Sequence, residues 1–73
     1  MGRAKERLQN RIRDLRAKRG DMTQQELADH IGVSRQTVNA IELGKYSPTL
    51  EVAFRIAKVL DASLDAVFQY RSD

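Results

Sequence analysis

Arg35, Gln36 and Asn39 lie within one short run of the chain and share a chemistry. A guanidinium presents a planar fork of donors, and each carboxamide presents a donor and an acceptor side by side. Such groups recognise flat polar edges through paired hydrogen bonds. Thr37 adds a hydroxyl and Ala40 a methyl to the same run. Groups that make or break bonds are scarce by comparison. There is no cysteine, and His30 is the sole histidine. Without a partnered nucleophile or clustered acids it forms neither a triad nor a metal site. His30 therefore reads as a surface or boundary residue. No catalytic residue, metal ligand, cofactor or small-molecule ligand is assigned.

The elements that must hold these side chains are two short helices and a tight turn, between Gln24 and Leu43. Thr23 and Glu26 have the spacing of a capping box, which starts a helix running to about Ile31. Gly32 can turn the chain at positive φ, and Ser34 caps the next helix. Leu27, Ala28 and Ile31 share one face of the first helix, and Val38 and Ile41 one face of the second, with Val33 in the turn. The small Ala28 permits close approach of a crossing helix. Arg35, Gln36, Asn39 and Ala40 fall on the opposite face, where no acid appears, although solvated helix surfaces favour Glu and Lys. Helices this short do not stand alone in water, so each requires the other and a third surface.

These residues carry a resemblance. Thr23-Gln24 before Glu26, Leu27-Ala28, Ile31-Gly32-Val33-Ser34, Val38, and Ile41-Glu42 ahead of Gly44 resemble the helix-turn-helix of the Cro and repressor (Xre-type) regulators. The pattern continues through Lys45-Tyr46-Ser47-Pro48-Thr49-Leu50 and covers roughly residues 10 to 68. The resemblance implies an all-α fold, a compact five-helix lambda-repressor-like DNA-binding domain. It further implies that Gln24 contacts phosphate, and that Arg16 and Glu42 form a structural ion pair rather than touching DNA.

The rest of the chain fits five helices. Leu8, Ile12 and Leu15 recur at helical spacing, which predicts a first helix over about residues 6–19, ended by Gly20 and Asp21. Met22 packs as a hydrophobic staple before the Thr23 cap. After Gly44 comes a loop, with Ser47 kept extended by Pro48. Thr49 caps a fourth helix to about residue 60, whose apolar stripe is Leu50, Ala53, Ile56, Ala57 and Leu60. Phe54 flanks that stripe and is expected in the peripheral core, with a dimer contact as the alternative. Asp61 stands where the family commonly has glycine, and aspartate tolerates left-handed backbone better than most residues. Ser63 caps a fifth helix containing Leu64, Val67 and Phe68, and residues 69–73 form a tail. No strand-type alternation, repeat or linker is apparent, so the 73 residues are expected to form a single domain with a basic extension at residues 1–9.

Charge and composition narrow the class. Residues 1–19 hold eight basic and two acidic side chains, a net of +6, so the chain's overall +3 leaves −3 for the remainder. That asymmetry suits an oriented approach to a polyanion, although a basic run alone can be a solvated helix face. A domain of this size buries roughly 60% of its extended-chain surface, so its core must be tight. The absence of cysteine fits a reducing compartment. No apolar run approaches the ~20 residues of a membrane span, and no secretory segment is apparent. Met1-Gly2 fails as a myristoylation signal because Glu6 occupies its Ser/Thr position. The expected setting is the cytoplasm.

Helix-turn-helix proteins seat the second helix of the motif in the major groove, where each base pair shows its own donors, acceptors and methyl groups. Base contacts are expected from Arg35 to guanine, Gln36 and Asn39 to adenine, and Ala40 to a thymine methyl. Phosphate contacts are expected from Gln24, Thr37 and Lys45, with Arg11 or Arg13 adding to the grip. The resulting expectation is a sequence-specific regulator of transcription that binds double-stranded DNA and represses by occluding a promoter. A homodimer, formed in solution or only on DNA, would give adequate specificity, with Phe68 and Tyr70 as candidate contacts. The alternative is a protein-interaction module, an antitoxin or adaptor of the same fold. RNA binding through the basic first helix is disfavoured by the lack of stacking aromatics.

Overall fold

The computed structural model describes residues 8–71. The segment before Leu8, which holds the start of the basic extension and of the expected first helix, lies outside them, as do Ser72 and Asp73. Five helices run in order: α1 (Ile12–Lys18), α2 (Gln24–Ile31), α3 (Arg35–Glu42), α4 (Leu50–Val59) and α5 (Leu64–Val67). Two short strands, β1 (Leu8–Asn10) and β2 (Phe68–Tyr70), pair antiparallel and bring the two ends of the described chain together.

Local signals explain most boundaries. The Thr23 hydroxyl accepts from the Glu26 N–H while the Glu26 carboxylate accepts from the Thr23 N–H, which closes the capping box of α2. Ser34, Thr49 and Ser63 each accept from the backbone N–H three residues on. The Ser63 cap also holds the neighbouring Asp65 carboxyl below the usual carboxylate range. Gly32 ends α2 at φ 79°. Gly44 (φ 76°) and Asp61 (φ 54°) end α3 and α4 in Schellman turns, in which Lys45 N–H reaches Ala40 O and Ala62 N–H reaches Ala57 O.

The core forms where the apolar stripes meet. α2 packs against both α3 and α4, and Ile12, Leu27, Ile31, Val38, Ile41, Ile56 and Val67 are fully buried. Met22 and Val33 pack half-buried against this cluster. Ala28, also fully buried, gives the close approach that its size permits.

Three expectations are corrected. Helix α1 begins at Ile12, and Leu8 belongs to a strand instead. The Asn10 carboxamide oxygen accepts from the Ile12 N–H and stops the helix there. The strand pairing escaped the local pattern because its partners, Leu8 with Tyr70 and Asn10 with Phe68, stand at opposite ends of the fold. Phe68, expected in the fifth helix, and residues 69 and 70, expected in a tail, are thus strand. Finally, Leu50 (69% exposed) and Phe54 (53%) lie outside the core. They sit one turn apart on α4, and Leu50 lines an open groove with Pro48, Ala53, Leu64 and Phe68.

Candidate nucleic-acid interface

Helix α3 owes its orientation to its inner face. Val38 and Ile41 are buried at 1% exposure each, and this anchors the rod and turns the other face outward. Arg35, Gln36 and Asn39 are exposed on that outer face, with Arg35 the first helical residue. Ala40 is half-buried, so only part of its methyl is available. Thr37 is half-buried as well, and its hydroxyl lies 2.9 Å from the Ser34 hydroxyl, engaged in the cap.

A part-buried ion pair ties the last residue of α3 to α1. Arg16 Nε donates to Glu42 Oε2 at 2.7 Å and an Arg16 terminal nitrogen donates to Glu42 Oε1 at 3.1 Å. The other terminal nitrogen donates to the Met22 carbonyl at 2.7 Å. The two side chains are 14% and 8% exposed. One guanidinium therefore ties together α1, the loop before α2, and α3.

Gln24, the first residue of α2, bridges to the same carboxylate. Its Nε2 donates to Glu42 Oε1 and to Asn39 Oδ1, each at 3.1 Å. The capping box uses the N–H groups of Thr23 and Glu26. Those of Gln24 and Gln25 have no acceptor within the first turn of the helix, at the positive end of its dipole.

An open cleft of about 500 Å³ separates α1 from this region, lined among others by Arg11, Arg13, Gln24 and Asn39. Arg11 and Arg13 are exposed, so tertiary packing sets two cations beside the outer face of α3. Asp14 is the one acid on the cleft apart from Glu42, whose charge Arg16 matches. Lys45 is exposed in the loop after α3, and its backbone N–H is held by Ala40 O at 2.9 Å. His30 is exposed on α2, away from this group. Among the described residues there is no cluster of His, Cys, Asp or Glu that could hold a metal ion. No described helix is long and apolar enough to cross a membrane.

Two supporting residues went unread in the sequence. Asn10 accepts from Ile12 N–H and donates to the Ile41 carbonyl at 3.0 Å, so it joins the start of α1 to the end of α3. An Asn just before an apolar run is a known helix-start signal and could have been read as such. Arg55 of α4 donates to the Ile31 carbonyl at 3.3 Å and pairs with Glu51 at 2.8 Å, closing the end of α2. No local pattern points to it.

Comparison with known proteins adds to this geometry. The helix-turn-helix family matches residues 12–67. The chain is 48% identical over 61 residues to an uncharacterised HTH-type transcriptional regulator of Archaeoglobus fulgidus, covering 84% of this chain and 86% of that one. It is 44% identical over 66 residues to another from Methanocaldococcus jannaschii, covering 90% and 98% respectively. The cryptic phage CTXphi transcriptional repressor RstR of Vibrio cholerae is 47% identical over 49 residues, which span 67% of this chain and 43% of RstR. A crystal structure of a Bacteroides fragilis protein, provisionally described as DNA-binding, superimposes with a TM-score of 0.76 at 24% identity. It covers 85% of this chain and 98% of that one.

Proposed function

The chain belongs to the helix-turn-helix family, and from that premise we propose that it reads specific DNA sequences by laying α3 in the major groove. It is a DNA-binding transcriptional regulator, a non-enzymatic class. The observation that carries the finer reading is the exposed row Arg35, Gln36 and Asn39 on a helix whose opposite side is sealed in the core. Arg35 forks onto guanine O6 and N7, while Gln36 pairs with adenine N6 and N7. Ala40 contributes a partial methyl contact.

Phosphate grips flank that helix. On one side stand the backbone N–H groups of Gln24 and Gln25 at the α2 N-terminus, since the Gln24 side-chain NH₂ is taken by Glu42 and Asn39. Arg11 and Arg13 lie across the cleft, and Lys45 follows α3. Thr37 is a lesser contributor, since its hydroxyl is engaged in the cap. These contacts set register and orientation, and the α3 side chains set sequence preference.

The protein acts in the cytoplasm as a repressor that occludes a promoter, a reading supported by its similarity to the phage repressor. A homodimer on a two-fold symmetric site supplies the specificity that one α3 lacks. Exposed apolar side chains, among them Leu50, Phe54 and Tyr70, support a second copy as the partner.

Selection of bound fragments from random duplex DNA tests the reading. The expected result is an enriched inverted repeat with half-site centres roughly one helical turn apart. Arg35→Ala should then erase preference at one base position per half-site, a loss of ~1–3 kcal/mol in discrimination. No enrichment, together with salt-insensitive binding to a protein, would instead identify an adaptor or antitoxin module.

A further inference from the structure

The hydrogen-bond chain from α1 to the outer face of α3 has a direction. Glu42, held by Arg16, can only accept. Gln24 must therefore turn its NH₂ toward Glu42, and the second hydrogen of that same nitrogen meets Asn39. Asn39 in turn must offer its oxygen inward, because a donor cannot face a donor. Its own NH₂ is then the end left pointing away from the protein, with no acceptor among the described residues.

We infer that Glu42 sets the polarity of the DNA-reading surface, relayed through Gln24, so that Asn39 presents a donor to the groove and selects an acceptor-bearing base edge. The inference rests on the proposed reading by α3 and corrects the paired adenine contact expected of Asn39, whose oxygen is taken by Gln24. Guanine, adenine and thymine all show acceptors in the major groove, whereas cytosine shows only its N4 donor. On the strand Asn39 faces, cytosine is the base this polarity rejects. A free carboxamide would not reject it, since rotation by 180° would bring the oxygen outward to accept from N4. Gln24 and Glu42 are thus positioning residues for specificity, beyond any phosphate contact by Gln24 and any contribution of Glu42 to stability.

Random-duplex selection with the full chain and three variants tests this. Asn39→Ala identifies the position that Asn39 reads, as the one where preference disappears. At that position the wild type should exclude cytosine. Gln24→Ala removes the relay and leaves the Arg16–Glu42 pair in place. It should admit cytosine there, with discrimination falling about tenfold and preference elsewhere unchanged. Glu42→Gln, checked for folding by its thermal melt, should loosen the same position and no other. The polarity is overturned if Gln24→Ala weakens all sequences equally and cytosine stays excluded. It is also overturned if the wild type accepts cytosine there. If Asn39→Ala alters no position while Arg35→Ala does, the polarity alone fails. If neither alters any position, the reading by α3 fails with it.

Discussion

Asp61 stands in left-handed backbone at φ 54°, at the one helix end among α2, α3 and α4 that lacks glycine there. An L-residue in that conformation places Cβ against the carbonyl oxygen, at a cost of roughly 1–2 kcal/mol that Asp and Asn partly escape. Glycine escapes it entirely and loses some of the gain through its more flexible unfolded chain. Asp61→Gly should therefore stabilise the protein by about 0.5–1 kcal/mol. For a chain this short, that appears as a thermal midpoint several degrees higher, about 4–8 °C per kcal/mol. An unchanged or lower midpoint would mean that the Asp61 side chain contributes a local interaction that glycine cannot replace. Arg35 and Gln36 present the opposite case at this scale. Among the described residues nothing holds their tips, as suits groups whose partner is another molecule.

At the scale of elements, the fold is held by ties between helix ends as much as by its core. Arg16 fastens α3 to α1 and to the Met22 carbonyl, Asn10 joins the start of α1 to the end of α3, and Arg55 closes α2. These ties fix the angle at which α3 is presented. Losing one member of this largely shielded pair leaves the other charge without its partner, whereas replacing both removes the conflict. Arg16→Met or Glu42→Leu alone should cost about 3 kcal/mol, and the double variant clearly less than either. Urea denaturation would read this as a large fall in midpoint for each single variant and a partial recovery for the double. Equal or additive losses would show that the pair is not energetically coupled.

Across the whole molecule, charge and shape act together. The expected +6 on residues 1–19 is opposed by −3 on the rest, and three of that segment's described cations, Arg11, Arg13 and Arg16, line the cleft beside α3. Such a field orients the approach to DNA and makes affinity depend on counterion release. Lys45→Ala should weaken binding to all duplexes alike and reduce the slope of log K against log salt by about 0.9. A change in sequence preference, with the slope intact, would move Lys45 from the phosphate grip to the reading surface. The exposed Leu50, Phe54 and Tyr70 bear on assembly. Replacing Phe54 with Asp should leave binding to a single half-site unaltered and lower affinity for the full symmetric site, as measured by gel shift on both probes.

The sequence by itself determined the helix-turn-helix and its facing. Capping residues at Thr23, Ser34, Thr49 and Ser63 act on backbone within their own first turns, and apolar spacing separates the inner face of α3 from its outer face. Both are local properties, so they can be read one turn at a time. The tertiary structure decided what depends on distant partners. It began α1 only at Ile12 and paired Leu8–Asn10 with Phe68–Tyr70. It also left Leu50 and Phe54 uncovered. Above all it joined Arg16, Glu42, Gln24 and Asn39 into one directed chain of hydrogen bonds. Each residue type was visible beforehand, but the direction of an amide is settled only by the acceptor that packing brings against it.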